Sequence, residues 1–221
     1  MALAFEGDSR VNAVVGNYFS LFAIQPTDKD ANWVAHFGLE GAGYFSMRQA
    51  DGRYPLETAD GLIGVYTEIA HGDFQWQLRY THISAHLADG SSENPIPYSR
   101  ETLGLRVGFV PSHVLHLYAG ASMIANTTPQ VSPWGFQTGG SLFWPWNETS
   151  LSPFLAWDTQ VRQEWVYNPS VNLQVGVALN NPPEAYRSFR IYYSLFTGSD
   201  PRGQFSTRRL IAHTIGIEMQ I

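Results

Sequence analysis

Residues 74–109 read FQWQLRYTHISAHLADGSSENPIPYSRETLGLRVGF, and their period of two narrows what the chain can become. In the first run Trp76, Leu78, Tyr80, His82, Ser84 and His86 share a face, while Gln75, Gln77, Arg79 and Thr81 take the other. After a polar loop, Leu103, Leu105, Val107 and Phe109 share a face opposed by Gly104, Arg106 and Gly108. Successive side chains of a strand point to opposite faces, so this alternation is a β signal. A soluble sheet hides its apolar face in a core. A membrane barrel turns that face to lipid and lines its lumen with the polar one.

Composition chooses between the two. Hydrophobic residues are 44% of the 221 residues, yet mean hydropathy is −0.17, so apolar and polar residues are interleaved. No run approaches the ~18 apolar residues of a membrane helix, which leaves a closed β-barrel as the way to span a bilayer. The soluble alternative is a β-sandwich or a lipocalin-like barrel with an apolar interior, its Arg79, Arg106, Asp158 and Gln174 on a wet outer surface. Charged residues at only 14%, with seven Trp and eleven Tyr, weigh against it. A net charge of −6 on so few charged groups argues against a nucleic-acid surface. The absence of Cys removes disulfides and thiolate metal sites. No secretory leader precedes residue 10, so Met1 is read as the start of a mature or recombinant form.

Taken in order, alternating segments fall at 9–23, 33–47, 61–70, 74–86, 103–109, 114–125, 133–144, 151–161, 171–179, 189–195 and 210–221. Bacterial barrels use even strand numbers. About twelve strands are therefore expected, the first region hiding a partial one, with about ten as the alternative. The whole chain, 1–221, is read as one antiparallel transmembrane β-barrel domain, all-β. Short turns at 71–73, 111–113, 146–149 and 180–185 alternate with longer loops at 48–60, 87–98, 126–131, 163–170 and 197–206. Outer-membrane barrels show this asymmetry, with long loops outside. Trp134 and Trp144 share the apolar face ten residues apart. At ~3.3 Å per residue and a tilt of ~40° they are separated by about 25 Å, the height of the apolar band between aromatic girdles. Trp157 is read as a further girdle anchor. Inward-facing Glu40, Arg79, Arg106, Asp158, Arg162, Arg190 and Glu218 are expected to pair across a narrow lumen, because unpaired buried charge is costly.

Three stretches resemble a family of bacterial outer-membrane barrels known only as a domain of unknown function: QLRYTHISAHLADG, SRETLGLRVGF and FTGSDPRGQFSTRRLIAHTIGIEMQI. In that family a His-x-Ser-x-His-Leu-x-Asp block and a terminal Ser-x-Gly-Gln-Phe-type loop recur. The resemblance covers most of the chain after residue 61 and implies an outer-membrane location, with membrane lipid and lipopolysaccharide as surroundings. It implies no activity. Barrels of this kind usually end in Phe, whereas Ile221 ends this chain.

A shorter resemblance bears on chemistry. Tyr80-Thr81-His82-Ile83-Ser84, followed by Ser99-Arg100-Glu101, looks like the active strand pair of outer-membrane phospholipase A and of the lipid A 3-O-deacylase. In both, a His-x-Ser pair lies on the lipid side near the outer rim, and the next strand supplies Asn or Glu. The likeness implies His82 as general base, Ser84 as nucleophile and Glu101 as the carboxylate that orients the imidazole. Two features depart from the pattern: Ala85 stands where those enzymes carry Asn, and the loop between the strands is longer. Ser99-Arg100 matches a calcium-binding position of the phospholipase, but one Ser and one Arg are a poor set for a hard cation, so no calcium or other cofactor is expected.

The residues themselves carry part of this reading. A Ser needs a His to activate it and a carboxylate to fix the His tautomer. His82 and Ser84 share a face, and Glu101 has the parity of Leu103 and Leu105. Two strand registers keep all three outward. One sets Glu101 opposite His82 and Ser99 opposite Ser84. The other sets Glu101 opposite Ser84 and Leu103 opposite His82. Directly opposed Cβ atoms lie roughly 4.5–5.5 Å apart, and only the first register lets Glu101 hold the imidazole while it serves Ser84. The plainer alternative is that these are polar residues of the headgroup zone. His86 and Asp89 are read as loop polarity, and a small pore or a scaffold barrel are the other functions compatible with the pattern.

Overall fold

The computed structural model describes residues 1–6, 9–28, 32–91, 93–144, 151–179 and 188–220. Twelve strands make one closed antiparallel barrel in which each strand pairs with its sequence neighbours and β1 meets β12. They are β1 (Ala2–Glu6), β2 (Arg10–Ile24), β3 (Trp33–Arg48), β4 (Leu56–His71), β5 (Phe74–Leu87), β6 (Ser99–Phe109), β7 (Leu115–Thr128), β8 (Trp134–Phe143), β9 (Leu151–Arg162), β10 (Pro169–Leu179), β11 (Ser188–Ser199) and β12 (Arg209–Gln220). The strand absent from the period reading is β1. Its five residues are too few to show a repeat, yet they close the wall between Arg10–Val14 of β2 and Thr214–Glu218 of β12.

Several strands run longer than the period alone marks: β6 begins at Ser99, β10 at Pro169, and β11 continues to Ser199. Residues 56–60 fall in the loop expected around the breakers Asp51-Gly52 and Pro55, but they begin β4. Glu57, Thr58 and Asp60 are buried, facing inward, where polar side chains belong in this fold. A bulge at the β3–β4 pairing lets Glu57 join them. Residues 126–128 likewise extend β7 rather than starting a loop. The expected turns at 146–149 and 180–185, and the terminal Ile221, lie outside the described residues.

The wall carries its apolar side outward. Trp76, Leu78 and Tyr80 of β5 are exposed while Gln75, Gln77 and Arg79 are half-buried. Ile63, Leu105, Phe136 and Ile215 continue the belt around the barrel. Each such side chain left in water forgoes about 1.5–3 kcal/mol, so an apolar solvent is what this surface fits. Trp134 and Trp144 are 47% and 46% exposed; Trp134 opens β8 and Trp144 directly follows its last residue. Trp157 instead lies half-buried over its cross-strand partner Gly140.

The lumen is polar and filled. Arg79 forks onto Glu40 with both contacts at 2.6 Å. Asp158 accepts from the Tyr118 hydroxyl at 2.6 Å and from the amides of Gln137 at 2.5 Å and Gln160 at 3.1 Å. Among the described residues Arg106 reaches no carboxylate directly. It donates to Gln137 at 3.3 Å and stacks over Tyr118, so it joins Asp158 through an intermediary. Three inward tyrosines sit over glycines of an adjacent strand: Tyr66 over Gly38, Tyr118 over Gly139 and Tyr192 over Gly216. What space remains includes cavities of about 340 Å³ and 420 Å³. At the rim bearing the longer loops, residues 200–208 turn inward against β3, β4 and β5, with Asp200, Gly203 and Phe205 buried.

Candidate functional site

The ladder between β5 and β6 runs from Phe74↔Phe109 at the short-turn rim to Ser84↔Ser99 at the long-loop rim. His82 pairs with Glu101 and Ser84 with Ser99, the register the chemistry requires. All three candidate residues share the outward face of the wall. The His82 and Glu101 side chains are 39% and 31% exposed, with Nδ1 3.8 Å from Oε1. That is ion-pair range but too long for a hydrogen bond, so the expected bond from the imidazole to the carboxylate is not made. Tyr80, two residues before His82, stands on the same outward face. Among the described residues no hydrogen bond joins Ser84 to His82. With Nδ1 turned to the carboxylate, Nε2 is the ring atom left for a hydroxyl, as base chemistry on Ser requires. Such contacts are often long before substrate binds.

The surroundings of Ser84 favour access. Its partner on β4 is Gly61, where a Cβ would stand 3.8 Å from the Ser84 Oγ. Without that Cβ a notch lies beside the hydroxyl. Ala85, the residue after Ser84, points inward and is fully buried, and its N–H donates to Tyr98 O at 3.2 Å. That N–H is therefore committed and is not an oxyanion donor, so the replacement of the expected Asn by Ala85 has a structural consequence.

One neighbour was missed in the sequence. Strict alternation of Leu117, Ala119, Ala121 and Met123 would turn Asn126 inward. A bulge shifts the β6–β7 register between Glu101 and Thr102, and Asn126 then pairs with Glu101. His82, Glu101 and Asn126 thus form one polar row across three strands, with Ser84, Ser99 and Thr128 as the next. Only the pairing reveals this, because a bulge leaves no mark on composition. Arg100 falls on the other side of the wall. It is 4% exposed, and its Nη1 donates to Glu164 at 2.6 Å, so it stands inside the lumen and not beside Ser99. Behind the site, burial raises the Tyr98 phenol above its usual value despite the pull of the Arg100 cation, which keeps it neutral. Of the two residues read as loop polarity, His86 is still in β5, and both His86 and Asp89 are exposed.

A family model described as "Protein of unknown function (DUF1207)" matches residues 3–220. The chain belongs to this family. Among solved structures, outer membrane phospholipase A from Escherichia coli is similar over 100% of this chain and 88% of its own, with a TM-score of 0.56 and 11% identity. At that identity the likeness shows a shared barrel fold and nothing of the chemistry. A search of curated proteins finds no match to the chain. The family membership agrees with the resemblance seen in the motif blocks of β5 and the final loop.

Proposed function

We propose that the protein spans the bacterial outer membrane and hydrolyses acyl esters of phospholipid or lipid A in the outer leaflet, with Ser84 as nucleophile, His82 as general base and Glu101 orienting the imidazole. The observation that carries this reading is the register. It sets Glu101 directly opposite His82, with Ser84 following on the same lipid-facing side near the long-loop rim. The apolar belt, the loop asymmetry and the fold shared with outer membrane phospholipase A support the location.

In this reading the Ser84 Oγ adds to the ester carbonyl as its proton passes to His82 Nε2. Collapse of the tetrahedral adduct breaks the ester C–O bond, and the imidazolium returns that proton to the leaving alcohol. Water, deprotonated by the same imidazole, then attacks the acyl-Ser84 ester and releases the fatty acid. Glu101 stabilises the transient imidazolium. The Gly61 notch admits the acyl carbonyl from the membrane side. Membrane lipid and lipopolysaccharide are the surrounding partners.

The test is to incubate the purified barrel in detergent with extracted outer-membrane lipid and to measure free fatty acid. Release by the parent and none by Ser84→Ala supports the reading; equal release by both removes it. A second reading, a scaffold barrel without chemistry, is favoured by the committed Ala85 N–H and the absence of a Ser84–His82 hydrogen bond. No release from any lipid by the parent selects it.

A further inference from the structure

The two motif blocks singled out in the sequence meet inside the barrel. The loop after β11 closes into the 3-10 turn Gly203–Phe205, which packs against the lumen side of Ala85, back to back with the candidate site. Gln204 Nε2 donates to Ala85 O at 2.5 Å and to Ile96 O at 2.8 Å, and its Oε1 accepts from Ile96 N–H at 3.0 Å. One amide therefore ties the end of β5, 119 residues away, to the segment leading into β6. The Gly203 N–H donates to Asp60 Oδ2 at 2.9 Å, which brings in β4. No side chain fits at Gly203, because a Cβ would stand 2.5 Å from the Ala85 Cβ and 2.7 Å from the Tyr98 ring.

The turn is itself locked. Phe205 is 2% exposed and lies against the guanidinium groups of Arg202 and Arg208, at 5.1 Å and 4.4 Å. Arg202 grips Asp200 and reaches Glu57 at 3.4 Å. Arg208 pairs with Glu93 of the β5–β6 loop at 3.1 Å.

We propose that Gly203–Phe205 is an inner wedge that sets the alignment of Ser84, His82 and Glu101, with Gln204 as its positioning residue; this rests on the hydrolase reading. The β5–β6 ladder ends at Ser84↔Ser99, with one further backbone bond from Ala85 N–H to Tyr98 O at 3.2 Å before the loop. Strand ends open most easily, yet the register of His82 against Glu101 depends on this end staying closed. Lipid supplies no hydrogen bonds to the outward side, so the support comes from the lumen. The hydrogen bonds of Gln204 among the described residues go to the backbone of Ala85 and Ile96 on the lumen side of the wall, so its effect falls on the chemical step and not on binding.

The experiment measures hydrolysis of phosphatidylethanolamine in mixed micelles, and of purified lipid A, by the folded detergent-solubilised barrel. Gln204→Glu is nearly isosteric but sets a carboxylate against two carbonyls, and Gln204→Met fills the same space without the hydrogen bonds. The expected result is kcat lowered about ten- to hundredfold with KM unchanged, while both variants keep the faster-migrating unboiled band of a folded barrel. Parental kcat in either folded variant overturns the wedge. Failure of both to fold also overturns it, because the amide then serves the barrel and not the site. An inactive Ser84→Ala beside a fully active Gln204→Glu sinks the wedge alone. Ser84→Ala that hydrolyses like the parent removes the hydrolase reading, and the wedge's role with it.

Discussion

His82 and Glu101 stand directly opposite one another across β5 and β6, with Nδ1 3.8 Å from Oε1. Glu101 neighbours Arg100 in sequence, but the wall separates the two: Arg100 holds Glu164 inside the barrel, while Glu101 faces lipid. A carboxylate kept on the apolar side, beside a His and two residues' reach from a Ser, is an unusual use of that surface. The proposed chemistry explains it.

From this arrangement the loss of activity should be graded. Ser84→Ala removes the nucleophile and His82→Ala the base, and each should lower fatty-acid release by about 10⁴-fold or more. Glu101→Gln should cost less, about ten- to a hundredfold, the worth of one charge-assisted hydrogen bond, because its amide oxygen can still accept from Nδ1–H. Initial rates of release from micellar phospholipid check the order. Glu101→Gln falling as far as Ser84→Ala would mean that the carboxylate does more than orient the ring.

The lumen makes a prediction about stability and conductance together. Glu40 is buried and forks onto Arg79 with two contacts of 2.6 Å. Glu40→Ala strands that guanidinium and should destabilise the barrel by about 3 kcal/mol, read from the urea midpoint in detergent. The parent should show little steady current in planar bilayers, since Arg79–Glu40, Asp158 with its three donors, and the inward turn at residues 203–205 occupy the bore. Large reproducible openings would point to a pore instead.

Cross-strand pairs of Tyr over Gly should be sensitive to a single methyl. A Cβ at Gly216 would stand 2.3 Å from the Tyr192 ring, whose strand lies directly alongside. Gly216→Ala should cost about 1–3 kcal/mol through overpacking. Adding Tyr192→Ala should recover part of that cost, because the ring is the obstacle. A double-mutant cycle checks it; strict additivity would show that the two do not touch.

Much of this structure was legible in the period of two, which fixes which residues face lipid and which face the lumen. It therefore also restricted the β5–β6 pairing to two registers. What stayed hidden is whatever breaks the period or lies beyond it. Asn126 reaches the row of His82 and Glu101 only through a bulge, and Glu57 turns inward through another. The five residues of β1 carry too little pattern to be read. Gln204 sits in a loop with no period at all, and its contact with Ala85 is a matter of tertiary packing. The hydrogen bond expected from His82 to Glu101 is not made, the two groups standing 3.8 Å apart, and alternation encodes the face of a side chain but not its rotamer.

The last prediction concerns which rim faces outward. Residues 49–55 and 88–98 join strands at the same rim as Ser84, the side from which an outer-leaflet lipid would approach. Arg53 and Tyr54 are exposed, so trypsin should cut after Arg53 in intact cells. The 88–98 loop holds no Lys or Arg, and Glu93 is its exposed handle for a Glu-specific protease. Glu93 is also paired with Arg208 at 3.1 Å, and the nearby Ile96 is pinned by Gln204. Cutting at Glu93 should therefore be slower than at Arg53, and Gln204→Met should speed it, because opening of the segment precedes cleavage. Protection of both sites until the outer membrane is breached would reverse the orientation and put Ser84 on the inner leaflet.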